Sequence, residues 1–375
     1  MAQGLSEAEV ADILTKCTPA FETVGWPKDS AGSSKCPKPR WRLIQGLWSG
    51  LGYVGEVAFQ DSGGAERKII VKSIEAPSEP FEDADDEFEK KRDYASFSAE
   101  AAYYEAGHAL QVTNAGAICP LPLYVDKSDA SVLICMTRLP GRESRPMACG
   151  QSKAALRWLA RLHALYWGSA RADAAVETGL QPQGCFWHFD TRQLEFSRME
   201  KTGVNGRLRL AARAIDKRLK ADPMQTICHG DPKDANIFVD ACDGEVALFD
   251  FQWTGKGCAA KDLAYCMSTA TSRLSEDEEE DYLLHYHGEL TKLLKKQGDE
   301  PPTFEYLKAV YSLAMADLAR WMAGWGWWGQ VRRLQAHVRG VLQKLDAGSS
   351  SLDAAAYEDA IFRVFPCAPA SDKTY

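Results

Sequence analysis

A chain of 375 residues exceeds the usual single-domain length, so two lobes are expected. Its 52 acidic and 44 basic residues leave a formal net charge of −8, which disfavours a nucleic-acid partner while permitting a local basic pocket. No stretch reaches about 18 uninterrupted apolar residues, and MAQGLSEAEVADIL lacks a basic segment followed by an apolar one, so a cytoplasmic protein with no membrane partner is expected. Eleven cysteines carry no C-x-x-C pair and no histidine at zinc-finger spacing, which fits reduced thiols packed as small hydrophobes.

In chain order, Ser6 followed by Glu9, with Val10, Ile13 and Leu14 at helical spacing, predicts a capped first helix. A polar, Pro/Gly/Ser/Lys-rich connector occupies about 26–40. WRLIQGL, YVGEVAFQ and RKIIVKSI then read as short strands of an antiparallel meander. A long helix is predicted from about Asp83 to Leu110, its acidic start EDADDEFE favoured by the helix dipole and solvated. LPLYV and SVLICMTRL complete a sheet of about five strands. LPGRESRP is the linker candidate. Beyond it helices are predicted at about 152–168, 190–220, 258–272, 276–296, 303–323 and 330–345, interrupted by two short strands around Ile237–Val239 and Glu245–Phe249.

Chemistry concentrates in a few stretches. GLGYVGEV places Gly50, Gly52 and Gly55 in G-x-G-x-x-G-x-V, and because a strand follows rather than a helix, the context favours a β-hairpin lid whose amides approach phosphates. A glycine-rich turn between strands is the plain alternative. Lys72, among apolar neighbours in IIVKSI, needs a partner if it stays charged. Glu100 in FSAEAAYYE is favoured over Glu105, since Phe97, Ala101 and Tyr104 lie at one-turn spacing from it.

ICHGDPKDANIFVDACDGEVALFDFQ raises a different need. Asp231 after His-Gly, Asn236 five residues on and Asp250 in F-D-F supply a base and two hard oxygen ligands of the kind magnesium requires. In phosphoryl transfer one Asp accepts the acceptor hydroxyl's proton while an Asn and a second Asp hold metal ions on the phosphates. Lys233 lies close enough to Asp231 in a tight loop to touch the transferring phosphate.

With these pieces assembled, the chain resembles the protein-kinase-like small-molecule kinases: aminoglycoside phosphotransferases, choline kinases and the ecdysteroid-kinase-like group. GLGYVGEV, the Lys of IIVKSI, the Glu of FSAEAAYYE, HGDPKDAN, FDFQ and KDLAY carry the resemblance over about residues 45–270. It implies an α+β, bilobal protein-kinase-like fold: a small antiparallel-sheet N-lobe with one long helix in 1–138, a hinge at 139–146, and a larger, mostly helical C-lobe in 147–375 with an acceptor-binding subdomain. ATP and Mg2+ are the implied cofactors, and the implied partner is a small-molecule hydroxyl acceptor such as an amino alcohol, a sugar or a sterol-like alcohol. Asp231 would be the base, Asn236 and Asp250 the magnesium ligands, and Lys72 would pair with the nucleotide phosphates and Glu100. His229 would be structural, Asp262 a loop anchor or equally a helix-start cap, and His163 a packed helix histidine. Lys233 is similar to the lysine of the protein-kinase loop H-R-D-L-K-x-x-N. A protein kinase is therefore a rival, opposed by the short stretch between Asp250 and Asp262 and the lack of a following A-P-E. A pseudokinase that binds nucleotide without chemistry is the other. Finally, DLARWMAGWGWWG sets Asp317, Trp321, Trp325 and Trp328 near one helix face, which is either core or an acid with aromatic faces for a cationic or flat hydrophobic alcohol, unless Gly324 and Gly326 end the helix early.

Overall fold

The computed structural model describes residues 5–27, 38–48, 50–348 and 352–367; most of the predicted connector at 26–40 lies outside them. Two compact units result, Met1–Thr113 with Cys119–Leu139, and Asn114–Ile118 with Pro140–Tyr375.

The first unit begins with α1 (Glu7–Cys17), closed by the predicted Ser6–Glu9 capping box. Strands β1 (Arg40–Gly46), β2 (Gly52–Gln60), β3 (Glu66–Glu75), β4 (Pro122–Lys127) and β5 (Ser131–Thr137) form one antiparallel sheet in the order β1-β2-β3-β5-β4. One sheet face is sealed by Val10, Ile13, Leu14, Cys17 and Phe21 against Val57, Ile69, Val71 and Cys135. Because strand side chains alternate, Lys72 turns to the opposite face from Val71, towards α2 (Ala84–Glu105). That long helix carries its acids in the first turn and an Asp83 cap, as expected. It stops at Glu105, earlier than predicted, because Gly107 adopts φ +78° before a separate α3 (His108–Asn114).

The second unit is mostly helical: α4 (Cys149–Leu165), α5 (Ser169–Val176), α6 (Gln193–Arg198), α7 (Gly203–Lys220), α8 (Ala260–Thr269), α9 (Glu276–Gln297), α10 (Phe304–Trp325), α11 (Val331–Asp346) and α12 (Ala354–Val364). The helix predicted at 190–220 is two, since Met199 and Thr202 are extended and Gly203 takes φ +64°. Helices α5 and α12 had no counterpart in the sequence reading. The predicted strand pair is β7 (Ile237–Cys242) with β8 (Glu245–Leu248), and a second pair joins it: β6 (Gln225–Cys228) with β9 (Gly255–Cys258). These two short pairs bring the segment after β6 and the segment after β8 together. Every described cysteine is a free thiol, and no helix among the described residues is long and apolar enough to cross a membrane.

Candidate active site

In the sheet unit, Lys72 is 5% exposed on the central strand, and its Nζ lies 2.5 Å from Glu100 Oε2 and 4.9 Å from the Phe97 ring centroid. Glu105 is exposed. The choice of Glu100 thus follows from helical phase, which turns one acid inward and the other out. Lys72→Met and Glu100→Gln are each expected to weaken nucleotide binding. In a double-mutant cycle read by calorimetry the two losses should be non-additive by about 0.5–3 kcal/mol, and additive losses would dissolve the pair as a functional unit. Gly50, with φ +72°, closes the β1–β2 turn, donating its N–H to Leu47 O at 3.0 Å. Gly52 and Gly55 lie on β2 itself: a Cβ would come within 2.0 Å of Ser73 O at Gly52 and within 1.9 Å of the Trp41 ring at Gly55. Close packing therefore accounts for two of the three glycines, and Trp48 in the turn is exposed.

In the helical unit, β6 delivers the chain into residues 229–236, a loop held by backbone contacts on several sides. Asp262, in the first turn of α8, accepts the N–H of His229 at 2.7 Å and of Gly230 at 3.0 Å. Ala259 is the helix cap, so Asp262 is the loop anchor and not the cap. Its Oδ2 also meets His163 Nε2 at 3.2 Å, and His163 Nδ1 meets Tyr286 Oη at 2.7 Å, which places His163 in a buried polar chain. Thr254 donates to His229 O, and the Phe186 N–H donates to Gly230 O. Gly230 has φ +89°, and a Cβ there would lie 2.1 Å from Trp253 O, so no other residue fits. Asp262→Asn takes the charged acceptor from both loop amides and leaves one of them facing an NH2 donor, and is expected to cost about 1–3 kcal/mol of stability, read as a lowered urea midpoint; an unchanged midpoint would show the anchor to be dispensable.

His229 packs edge-on to Trp158 and at a tilt to Phe251, with ring centroids at 5.9 Å and 5.0 Å. Its Nδ1 accepts the Asp231 N–H at 3.3 Å and its Nε2 faces Phe249 O at 3.2 Å. Burial lowers its pKa, and with both nitrogens committed to backbone the ring is a neutral strut.

Asp231 is 1% exposed. Its Oδ2 accepts Lys233 Nζ at 2.7 Å and Asn236 Nδ2 at 2.9 Å, whereas its buried Oδ1 has no hydrogen-bond partner among the described residues. Burial raises its pKa, Lys233 opposes this, and the nearby Asp250 carboxylate adds to it. Burial works against the Lys233 charge in turn, but the Asp231 carboxylate outweighs it and holds that amine above its ordinary value. Asn236 spends its Nδ2 on Asp231 O and Oδ2, leaving its Oδ1 without a donor among the described residues. Asp250, at the end of the β7–β8 pair, sits at φ +71°, a left-handed conformation that Asp tolerates better than most residues. Asp250 is half-buried and near enough for its charge to act on Asp231, and with Asn236 it offers hard oxygen of the kind magnesium takes.

Contacts that the sequence did not signal complete the surroundings. Tyr265, one turn beyond Asp262 on α8, is 2% exposed, and burial together with the Asp231 carboxylate pushes its phenol well above the ordinary range. The tryptophan segment is divided by depth. Helix α10 runs on through Gly324 and ends at Trp325, before Gly326. Asp317 is 1% exposed, its Oδ1 accepting Arg320 Nε at 2.8 Å and its Oδ2 lying 3.2 Å from Lys261 Nζ. Burial works against its charge, but Arg320 and Lys261 hold its carboxyl below the usual range. Trp321 is 1% exposed and Trp325 47%. Trp328, past the helix end, meets the Trp321 ring edge-on at 4.9 Å.

Among solved structures the chain is similar to a Plasmodium vivax ethanolamine kinase, with 14% identity, coverage of 87% of this chain and 82% of that one, and a TM-score of 0.45. It is similar also to a thermostable aminoglycoside phosphotransferase mutant in ternary complex with ADP and hygromycin B, at 12% identity, 83% and 95% coverage and a TM-score of 0.45. A macrolide 2'-phosphotransferase type I matches at 13% identity, 96% and 99% coverage and a TM-score of 0.43. A search of curated proteins gives no match. The model of the phosphotransferase enzyme family matches residues 58–295, a span that begins after the glycine turn and contains Lys72, Glu100, the 229–236 loop and Asp250. With more than half of its length matched, the chain belongs to the phosphotransferase enzyme family.

Proposed function

We propose that this phosphotransferase is a magnesium-dependent kinase that moves the γ-phosphate of ATP to a hydroxyl of a small metabolite. Asp231 accepts the hydroxyl proton, Asn236 and Asp250 hold Mg2+, and Lys233 meets the transferring phosphate. Lys72, positioned by Glu100, serves the nucleotide phosphates together with the glycine hairpin of Gly50, Gly52 and Gly55. Residues 1–138 form the nucleotide lobe, 139–146 the linker and 147–375 the lobe carrying the base and acceptor. Held by Asn236 and Asp250, the metal would supply positive charge to offset that of the phosphates. The protein's own part is to fix a carboxylate, an amine and an amide in one loop. The observation that carries this reading is the state of Asp231: one oxygen fixed by Lys233 and Asn236, the other buried and unpartnered among the described residues.

A small acceptor is favoured over a protein. Between Asp250 and Asp262 the chain is spent on the Thr254 contact and on β9, which leads into α8, so no segment is left there to dock a peptide. The test is nucleotide consumption by the purified protein across small hydroxylated metabolites and a set of peptides, with products identified by mass. A phosphorylated small molecule is expected. Phosphopeptide alone would restore the protein-kinase reading, and tight nucleotide binding with no turnover on any acceptor would favour a pseudokinase.

A further inference from the structure

Four aromatic side chains of the helical unit, Phe186, Trp321, Trp328 and Trp325, form a connected run that Lys233 links to the Asp231 carboxylate. Lys233 Nζ, bonded to Asp231, lies 5.8 Å from the Phe186 ring centroid. Phe186 meets Trp321 edge-on at 5.2 Å, and Trp321 meets Trp328 at 4.9 Å and Trp325 at 6.4 Å. Its two ends differ in burial, Asp231 being 1% exposed and Trp325 47%, while Trp321 in the middle is 1% exposed and Phe186 and Trp328 are partly open. The run therefore joins a buried carboxylate to an accessible indole.

Its charges select against a cation. Arg192 already stacks on Phe186 at 3.9 Å and lies 5.5 Å from Trp321, and Lys233 faces Phe186 as well. An ammonium group seeking a ring face would meet two resident cations. The acids beside the run are spent: Glu195 pairs with Arg192 at 3.2 Å, and Asp317 pairs with Arg320 and Lys261. The buried Trp321 Nε1 has no acceptor among the described residues, which invites an oxygen on the ligand's body and not a further donor. A largely apolar wall with one reactive polar end is the usual construction of a small-molecule site.

We infer that the acceptor is a neutral alcohol with a flat, largely apolar body, its rings laid along Phe186, Trp328 and Trp325 and its hydroxyl at Asp231. The inference rests on the proposed role of Asp231, so the test separates binding from transfer. Equilibrium binding and phosphoryl transfer are measured for 2-naphthaleneethanol, glucose, choline and kanamycin, in the wild type and in Trp325→Ala and Trp325→Phe. The naphthyl alcohol is expected to bind most tightly. Trp325→Ala should weaken its binding about five- to tenfold, the scale of one lost ring contact, and Trp325→Phe should restore most of it. Tighter binding of choline, kanamycin or glucose, equal binding by both Trp325 variants and the wild type, or no binding of the naphthyl alcohol overturns the inference. Selective binding with no transfer upholds it and sinks instead the role of Asp231 as base.

Discussion

Asp250→Asn is expected to abolish the magnesium dependence of nucleotide binding while the fold survives. The choice of asparagine follows from the backbone: Asp250 sits at φ +71°, where Asn is tolerated and Ala is strained. The substitution removes the negative charge and keeps the conformation, so a loss cannot be assigned to a broken turn. Magnesium demands hard, preferably anionic oxygen, and of the two ligands assigned to it only Asp250 is charged. Losing an outer partner of a metal site already costs about 10- to 100-fold in affinity, and a charged ligand should cost at least that. Calorimetric titration of nucleotide with magnesium and with a chelator checks it. Curves that differ for the wild type should coincide for the variant, and a preserved difference would remove Asp250 from the metal site. One further consequence concerns Asp231: without the Asp250 charge beside it, its raised pKa should relax downwards.

How far the site was legible follows from how local each contribution is. Asp231, Lys233 and Asn236 share one short loop, and spacing alone brings them together, as the bonds from Lys233 and Asn236 to Asp231 Oδ2 show. Lys72 announced itself as a charge in an apolar strand, and helical phase chose Glu100. The loop's supports were written elsewhere in the chain. Phe186 contributes its backbone N–H, which has no side-chain signature, and Thr254 and Tyr265 gain meaning only once β9 and α8 return beside the loop. Strand β9 itself was hidden because GKGC has two glycines and no alternation, so its pairing with β6 is imposed by tertiary context over weak propensity. The break between α6 and α7 was likewise missed, since the flanking residues favour helix and only Thr202 and Gly203 interrupt them. In the tryptophan segment periodicity placed Trp321 and Trp325 on α10, but it could not show that Asp317 is neutralised by Arg320, one turn away, and by Lys261, from α8.

Asp231→Asn should lower phosphoryl transfer by about 10²- to 10⁴-fold, or roughly 3–5 kcal/mol of barrier, with nucleotide affinity nearly unchanged. The side chain is almost fully buried, and its Oδ2 is held by two donors. An amide of the same shape can keep an oxygen on Lys233 and Asn236, so the loop should persist while the proton acceptor is gone. Burial, joined by Asp250, raises the Asp231 pKa and Lys233 restrains it. A base must be ionised to act, so wild-type activity should fall as pH drops through a value above the ordinary carboxylate range. That acid limb should vanish from the residual activity of the variant, which a merely structural aspartate would not predict. Single-turnover transfer across pH, measured beside nucleotide binding, separates the cases. Near-normal transfer by Asp231→Asn would make Asp231 a turn-forming residue, for which asparagine is a good substitute, and would leave its buried carboxylate without a catalytic purpose.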